Sequence, residues 1–216
     1  MKMPKKTGIL FVILGAVLIL SALLLFLYNG YEDRRAGQEA ELLLDDIRSA
    51  IAEETTPTIA TTEIEIENTE ETEITEPAET LPAEMPVVKI GGYEYIGYLS
   101  LPDLELELPV MSEWDYKRLN IAPCRHFGSS RTDDLVIAAH NYKTHFGTLS
   151  SLEIGAEVIF TDMDGIENHY ALLRLQTLAP DSVDEVQNSG CDLVLYTCTP
   201  GGATRVVAFC DRTPEE

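Results

Sequence analysis

Positive charge is what this chain has least of. Its 216 residues carry 15 Lys and Arg against 37 Asp and Glu, a formal net charge of -22. Phosphate backbones and anionic lipid surfaces are bound through Lys and Arg, so this balance argues against nucleic acid and against anionic lipid as a partner. Cysteine is scarce too: there are four, and none stand as Cys-x-x-Cys. The four histidines do not sit at i, i+4 around a Glu, so the usual zinc patterns are missing. "DMDG", Asp162 to Gly165, opens like a calcium loop but lacks the later Glu, and it reads as a turn. No metal and no cofactor are expected, and no internal repeat is present.

Charge of either sign is absent from Ile9 to Tyr28, twenty residues reading "ILFVILGAVLILSALLLFLY". A helix of that length, at about 1.5 Å per residue, matches the roughly 30 Å hydrocarbon core of a bilayer. Lys2, Lys5 and Lys6 precede it, whereas Arg34 and Arg35 behind it are mixed with Glu32 and Asp33. The basic bias places residues 1–8 in the cytoplasm as a tail, 9–28 in the membrane and everything after Tyr28 outside. A cleaved signal peptide is the competing reading, but the run is longer than such cores and "YNGYEDRR" offers no small-x-small site.

Residues 29–54 contain good helix formers and place Leu43, Ile47, Ala50 and Ile51 on one stripe, so a juxtamembrane helix and a partly frayed stalk both fit. Residues 55–86 hold nine Glu and no Lys or Arg. With little hydrophobic mass they cannot bury enough surface to offset the entropy of ordering, and they read as a disordered acidic linker that holds the carboxyl-terminal part of the chain off the membrane surface.

Residues 87–216 have a different texture. "YEYIGYLSL", "LELELPVM", "DLVIAAH", "AEVIF", "NHYALLRLQTLAP", "DLVLYT" and "RVVAFC" read as short strands separated by turn residues, and "EWDYKRLN" as a short helix. This predicts an all-β dominated domain, a closed antiparallel barrel or a sandwich, with only short helices.

An external thiol needs a reason, and the spacing supplies one for Cys198. If the runs either side of "TPGGAT" form a hairpin with Cys198 opposite Arg205, the two share a face, while Cys210 and Cys191 fall on the other. Cys191 and Cys210 then form a disulfide or stay as two buried thiols, both open, and Cys124 stays unpaired. Beside a permanent cation a thiol gains thiolate character, and Arg, which does not lose its proton, can steady the oxyanion formed when sulfur attacks a carbonyl. Pro200, Gly201, Gly202 and Ala203 leave room for an extended substrate. A leaving amine needs a proton donor; His140, at the end of "LVIAAH", is placed for it, with His145 in reserve and His126 and His169 read as structural. Thr197 and Thr199, flanking the thiol, are candidates for substrate hydrogen bonds.

"AAHN", then "VLYTC", then Arg seven positions on, behind an amino-terminal anchor, resembles the signature of sortases, the cysteine transpeptidases of Gram-positive cell surfaces. The likeness runs from Gly92 to Arg212, with "IGYLSLPDLELELPV" similar to the family's first two strands. It implies a closed eight-stranded barrel and the catalytic set His140, Cys198 and Arg205. It further implies a thioester acyl-enzyme on Cys198, formed from a C-terminal sorting motif of the LPxTG or NPxTN kind and resolved by an amine of a peptidoglycan precursor or a pilin Lys. The short Cys-to-Arg interval, with Val194 and Tyr196 in place of commoner residues, leaves the subclass open, class B among the readings. A tethered thiol peptidase and a non-catalytic stalked binding domain are the alternatives. The first is disfavoured by the order His before Cys, and the second gives no reason for Cys198 opposite Arg205.

Overall fold

The structure, a computed structural model, describes residues 5–54 and 82–214. The expected linker falls mostly outside the described residues. Its last part, Pro82 to Pro86, lies against the barrel: Met85 is buried, and the Ser129 hydroxyl donates to the Ala83 carbonyl at 2.8 Å.

Helix α1 runs unbroken over Lys5–Glu54, so the apolar run and the amphipathic stretch behind it are one element. Asn29 and Gly30 do not break it. Its carboxyl half turns a stripe at three- and four-residue spacing inward, with Ala36, Ala40, Leu44 and Ile47 all buried. The partner of that stripe is the barrel. Ile47 packs with Tyr95, Met111 and Met163, and Leu43, Ala50 and Ile51 flank them.

The strands are β1 (Val88–Ile90), β2 (Tyr93–Leu101), β3 (Leu106–Met111), β4 (Cys124–Phe127), β5 (Leu135–Ala138), β6 (Glu157–Asp162), β7 (Glu167–Leu178), β8 (Leu193–Cys198) and β9 (Arg205–Arg212). They form one sheet in the order β1-β2-β3-β4-β5-β8-β9-β7-β6, and β6 pairs back onto β2. Strand β1 only extends the β2 edge through Tyr93 to Tyr95, so eight strands close the barrel. Most pairs are antiparallel, but β3 with β4 and β5 with β8 are parallel.

Closure depends on close backbone approach at Gly97, which pairs with Asp162. Its φ is +143°, and a Cβ built there would lie 1.9 Å from the Thr161 carbonyl oxygen. Only a residue without a side chain fits.

Alternation along the strands sorts side chains to two faces. Leu99, Leu108, Ile137, Phe160 and Leu195 fill the interior. Val136, Val194, Val207 and Phe209 point outward, where Val186 of the short helix α2 (Val183–Gln187) covers them. Neither α2 nor β4 is foreshadowed by the sequence, and "EWDYKRLN" forms a single 3-10 turn, Arg118–Asn120.

Candidate active site

The candidate residues stand on three neighbouring strand ends. Cys198 and Arg205 are direct partners in the antiparallel β8–β9 ladder, on one shared face as the sequence spacing predicts; that face is the outward one. Strands β5 and β8 run parallel, and every pair from Leu135↔Leu193 to Ala138↔Tyr196 is 58 positions apart. The same alignment continues past the strand, where the Ala139 N–H donates to the Tyr196 carbonyl at 3.1 Å. Continued by the same spacing, the register would bring residue 140 level with residue 198. The Thr197 hydroxyl clamps this junction by donating to the Ala139 carbonyl at 2.9 Å. Cys198 and Arg205 are thus cross-strand partners, and His140 follows the end of the neighbouring strand β5 by two residues.

His140 is half-buried, and burial lowers its pKa below the ordinary value of 6.5. It rests neutral at pH 7. Its Nε2 lies 2.9 Å from the Asn120 side-chain oxygen; that oxygen can only accept, so Nε2 carries the hydrogen and Nδ1 is the free base. Asn120 is held in turn by donating to the Tyr116 carbonyl at 3.1 Å. It ends a stretch with no motif character, which is why sequence reasoning passes over it.

Arg205 donates from Nη1 to the carbonyls of Gly202 and Thr204, each at 3.1 Å. Among the described residues no acceptor engages its remaining N–H groups. The loop it closes is a tight turn: the Gly202 N–H donates to the Thr199 carbonyl at 2.8 Å, with Gly201 and Gly202 both at positive φ. Pro200 to Ala203 lie exposed.

Thr199 is hydrogen-bonded to Thr204 across the turn at 3.0 Å, and Thr197 is buried. Both hydroxyls thus serve the protein's own backbone and turn. His145 is fully buried, with neither ring nitrogen hydrogen-bonded. His169 lies on the surface between Glu157 and Glu167. All four cysteines are free thiols. Cys191 and Cys210 therefore take the unpaired alternative, and burial pushes the Cys210 thiol up to about 12.

A groove of about 320 Å³ opens beside the thiol, with Cys198 and Arg205 in its wall. Trp114, Tyr116, Phe127 and Tyr196 make it largely apolar, and α2 with the preceding turn forms its far side. The Tyr196 hydroxyl lies 2.8 Å from Nδ1 of His126. Burial raises the phenol and lowers the imidazole, so both stay neutral and the phenolic O–H donates. His126 is thereby a wall of the groove, a part the sequence does not reveal. An extended peptide with apolar side chains fits such a surface.

A closed eight-stranded barrel with a thiol, an imidazole and a guanidinium on adjacent strand ends defines a class of thiol-bearing barrel proteins. Likeness to known proteins supplies the family. A family model described as the sortase domain matches residues 99–213, and the chain belongs to the sortase family. Sortase A of Bacillus anthracis is 27% identical over 122 residues, 54% of this chain and 58% of that protein. The fold is shared with sortase A from Corynebacterium diphtheriae, at 18% identity and TM-score 0.52 over 57% of this chain and 63% of that one. It is shared also with sortase C1 from Streptococcus agalactiae, at 21% identity and TM-score 0.50 over 59% and 72%. The chain thus spans less than two thirds of the length of the first two relatives.

Proposed function

We propose that this chain is a membrane-anchored cysteine transpeptidase whose catalytic residues are His140, Cys198 and Arg205. The cross-strand pairing of Cys198 with Arg205, with β5 running parallel beside β8 and ending two residues before His140, is the observation that carries the reading. In this proposal residues 1–8 are cytoplasmic, 9–28 span the membrane and the barrel lies outside. Among the described residues one helix, within Gly8–Glu53, is long and apolar enough to cross a bilayer.

The resting states dictate the chemistry. Nδ1 of neutral His140 takes the Cys198 proton as sulfur attacks the carbonyl carbon of a sorting motif of the LPxTG or NPxTN kind, bound in the aromatic groove. The carbonyl oxygen becomes an oxyanion facing the free N–H groups of Arg205. The imidazolium then gives the proton to the departing amine nitrogen, the C–N bond breaks, and a thioester remains on Cys198. An acceptor amine, from a peptidoglycan precursor or a pilin Lys, attacks that thioester. It yields its proton through His140 to the leaving thiolate, which restores the starting state.

The test is a motif peptide incubated with the detergent-solubilised full chain and an added amine, read by mass spectrometry. Ligated peptide and a transient acyl adduct on Cys198 are expected. Cys198→Ala abolishes both, and Arg205→Ala lowers kcat by about 10²-fold or more. Turnover that survives Cys198→Ala would sink the reading, and hydrolysis without ligation in excess amine would make the chain a peptidase.

A further inference from the structure

A second, larger cavity beside the candidate site faces α1. It measures about 780 Å³, and its two walls have different origins. One wall is the end of the apolar run and the turns after it, from Phe26 and Leu27 up to Arg34. The other is made by Asn141 and Lys143, just after His140, and by Pro200 and Gly201, in the loop between Cys198 and Arg205.

If α1 spans the membrane over residues 9–28, this cleft has a fixed depth. Phe26 and Leu27 lie in the last turn of the span and are exposed. Arg34 stands seven residues beyond Leu27, a rise of about 10 Å. The polar headgroup layer on one side of a bilayer is roughly 5–8 Å thick. The cleft therefore spans the headgroup layer and reaches about its outer edge, with an apolar floor and a polar roof.

Its charge is also defined. Arg34 and Lys143 are both exposed, and neither forms an ion pair with a described residue. Of the two nearby acids, one is ion-paired and one is hydrogen-bonded to neutral donors. Glu32 pairs with Arg35 at 3.2 Å, and Asp33 accepts from the Thr144 backbone N–H at 3.2 Å and hydroxyl at 3.0 Å. Asp33 also lines the cleft and keeps its negative charge, because its donors are neutral, so the lining carries two cations against one anion.

We infer that the cleft between α1 and the two catalytic loops binds one bilayer phospholipid, its headgroup phosphate between Arg34 and Lys143 and its acyl chains along Phe26 and Leu27. The inference rests on the membrane reading of α1. The bound lipid touches the loops that come after His140 and Cys198, so it buttresses the site from its membrane side.

The experiment uses the full chain reconstituted into phosphatidylcholine/phosphatidylglycerol nanodiscs, then released and weighed by native mass spectrometry. Wild type retains one phospholipid. Each surface cation is worth about a fivefold change in lipid affinity, so Arg34→Gln with Lys143→Gln retains it at about a tenth of that level or less. Arg48→Gln, far along the helix where the side chain pairs with Glu107 at 2.7 Å, retains it as wild type does. Equal retention by the double variant, or equal loss in Arg48→Gln, overturns the proposal. Inorganic phosphate alone, in millimolar excess, should not occupy the cleft of the lipid-free chain; occupancy by it would replace the lipid with a simple anion. Alkaline carbonate extraction of membranes separates the anchor from the cleft. Release of wild-type chain to the supernatant fails the membrane reading, whereas retention in the membrane without bound lipid fails only the cleft.

Discussion

Asn120 offers the sharpest test of how the imidazole is prepared. Its side-chain oxygen lies 2.9 Å from Nε2 of His140, which fixes the tautomer and aims Nδ1. Asn120→Ala removes one partly exposed hydrogen bond worth about 0.5–1.5 kcal/mol. If all of it is felt in the transition state, kcat/KM falls between about twofold and tenfold. Asn120→Asp keeps the geometry and adds a negative charge, which favours the imidazolium and raises the His140 pKa. In the proposed mechanism the free enzyme needs His140 neutral to accept the thiol proton. Its activity is therefore lost as pH falls through the His140 pKa, a limb that lies below 6.5 in the wild type because burial lowers that value. In Asn120→Asp the acid limb moves to higher pH, while the alkaline side is unchanged. The assay is motif-peptide cleavage across pH 4.5 to 9, with thermal unfolding run alongside to show that the fold is intact. An acid limb that stays put in Asn120→Asp, together with undiminished turnover in Asn120→Ala, would refute the positioning role.

Three more outcomes are expected from the packing. Burial lowers His145 from 6.5 to about 4, so below 6.5 the unfolded chain binds a proton that the folded chain refuses. The stability tied to neutral His145 is complete above 6.5 and is lost as pH falls toward 4. On the order of 2 kcal/mol should disappear between pH 7 and pH 5 in urea denaturation, and His145→Phe should flatten that dependence. Gly97→Ala drives a methyl into the Thr161 carbonyl at the barrel seam and should cost about 3 kcal/mol or more, read as a drop in Tm; a neutral outcome would mean the seam is not as tight as described. Ile47→Asp places a charge in the fully buried contact between α1 and the barrel. It should raise amide hydrogen exchange along residues 36–51 while the β8–β9 amides stay protected, and unchanged exchange in the helix would contradict the seating.

Much of the barrel was legible because its strands carry strong local signals. "YEYIGYLSL" matches β2 residue for residue, and the alternation of "LVLYTC" with "RVVAFC" gave both the hairpin register and the shared face of Cys198 and Arg205. What was missed depends on partners distant in the chain. Strand β4 is held to β3 by a single parallel bridge, Met111 to Cys124, too little to impose a local pattern. Helix α2 has five residues, below the length at which periodicity speaks. His126 belongs to the groove only because Tyr196, seventy residues away, reaches its ring. The stripe on α1 was visible, but nothing local named its partner. Linker composition said nothing of a contact between barrel and helix; the barrel is seated on α1 from Asp33 onward, where Thr144 is bonded to Asp33.

That seating has a mechanical consequence. On the proposed membrane reading, Asp33 lies about 7.5 Å of helix beyond the end of the span at Tyr28, so a barrel gripped at Asp33 would ride at one altitude above it and not wander on a leash. A polypeptide fastened in the same bilayer by its own tail would reach Cys198 only if the stretch between tail and cleavage point were of matching length. Selection among clients would then be partly a matter of measurement, with the rigid rod acting as the gauge and spacer length as the quantity compared.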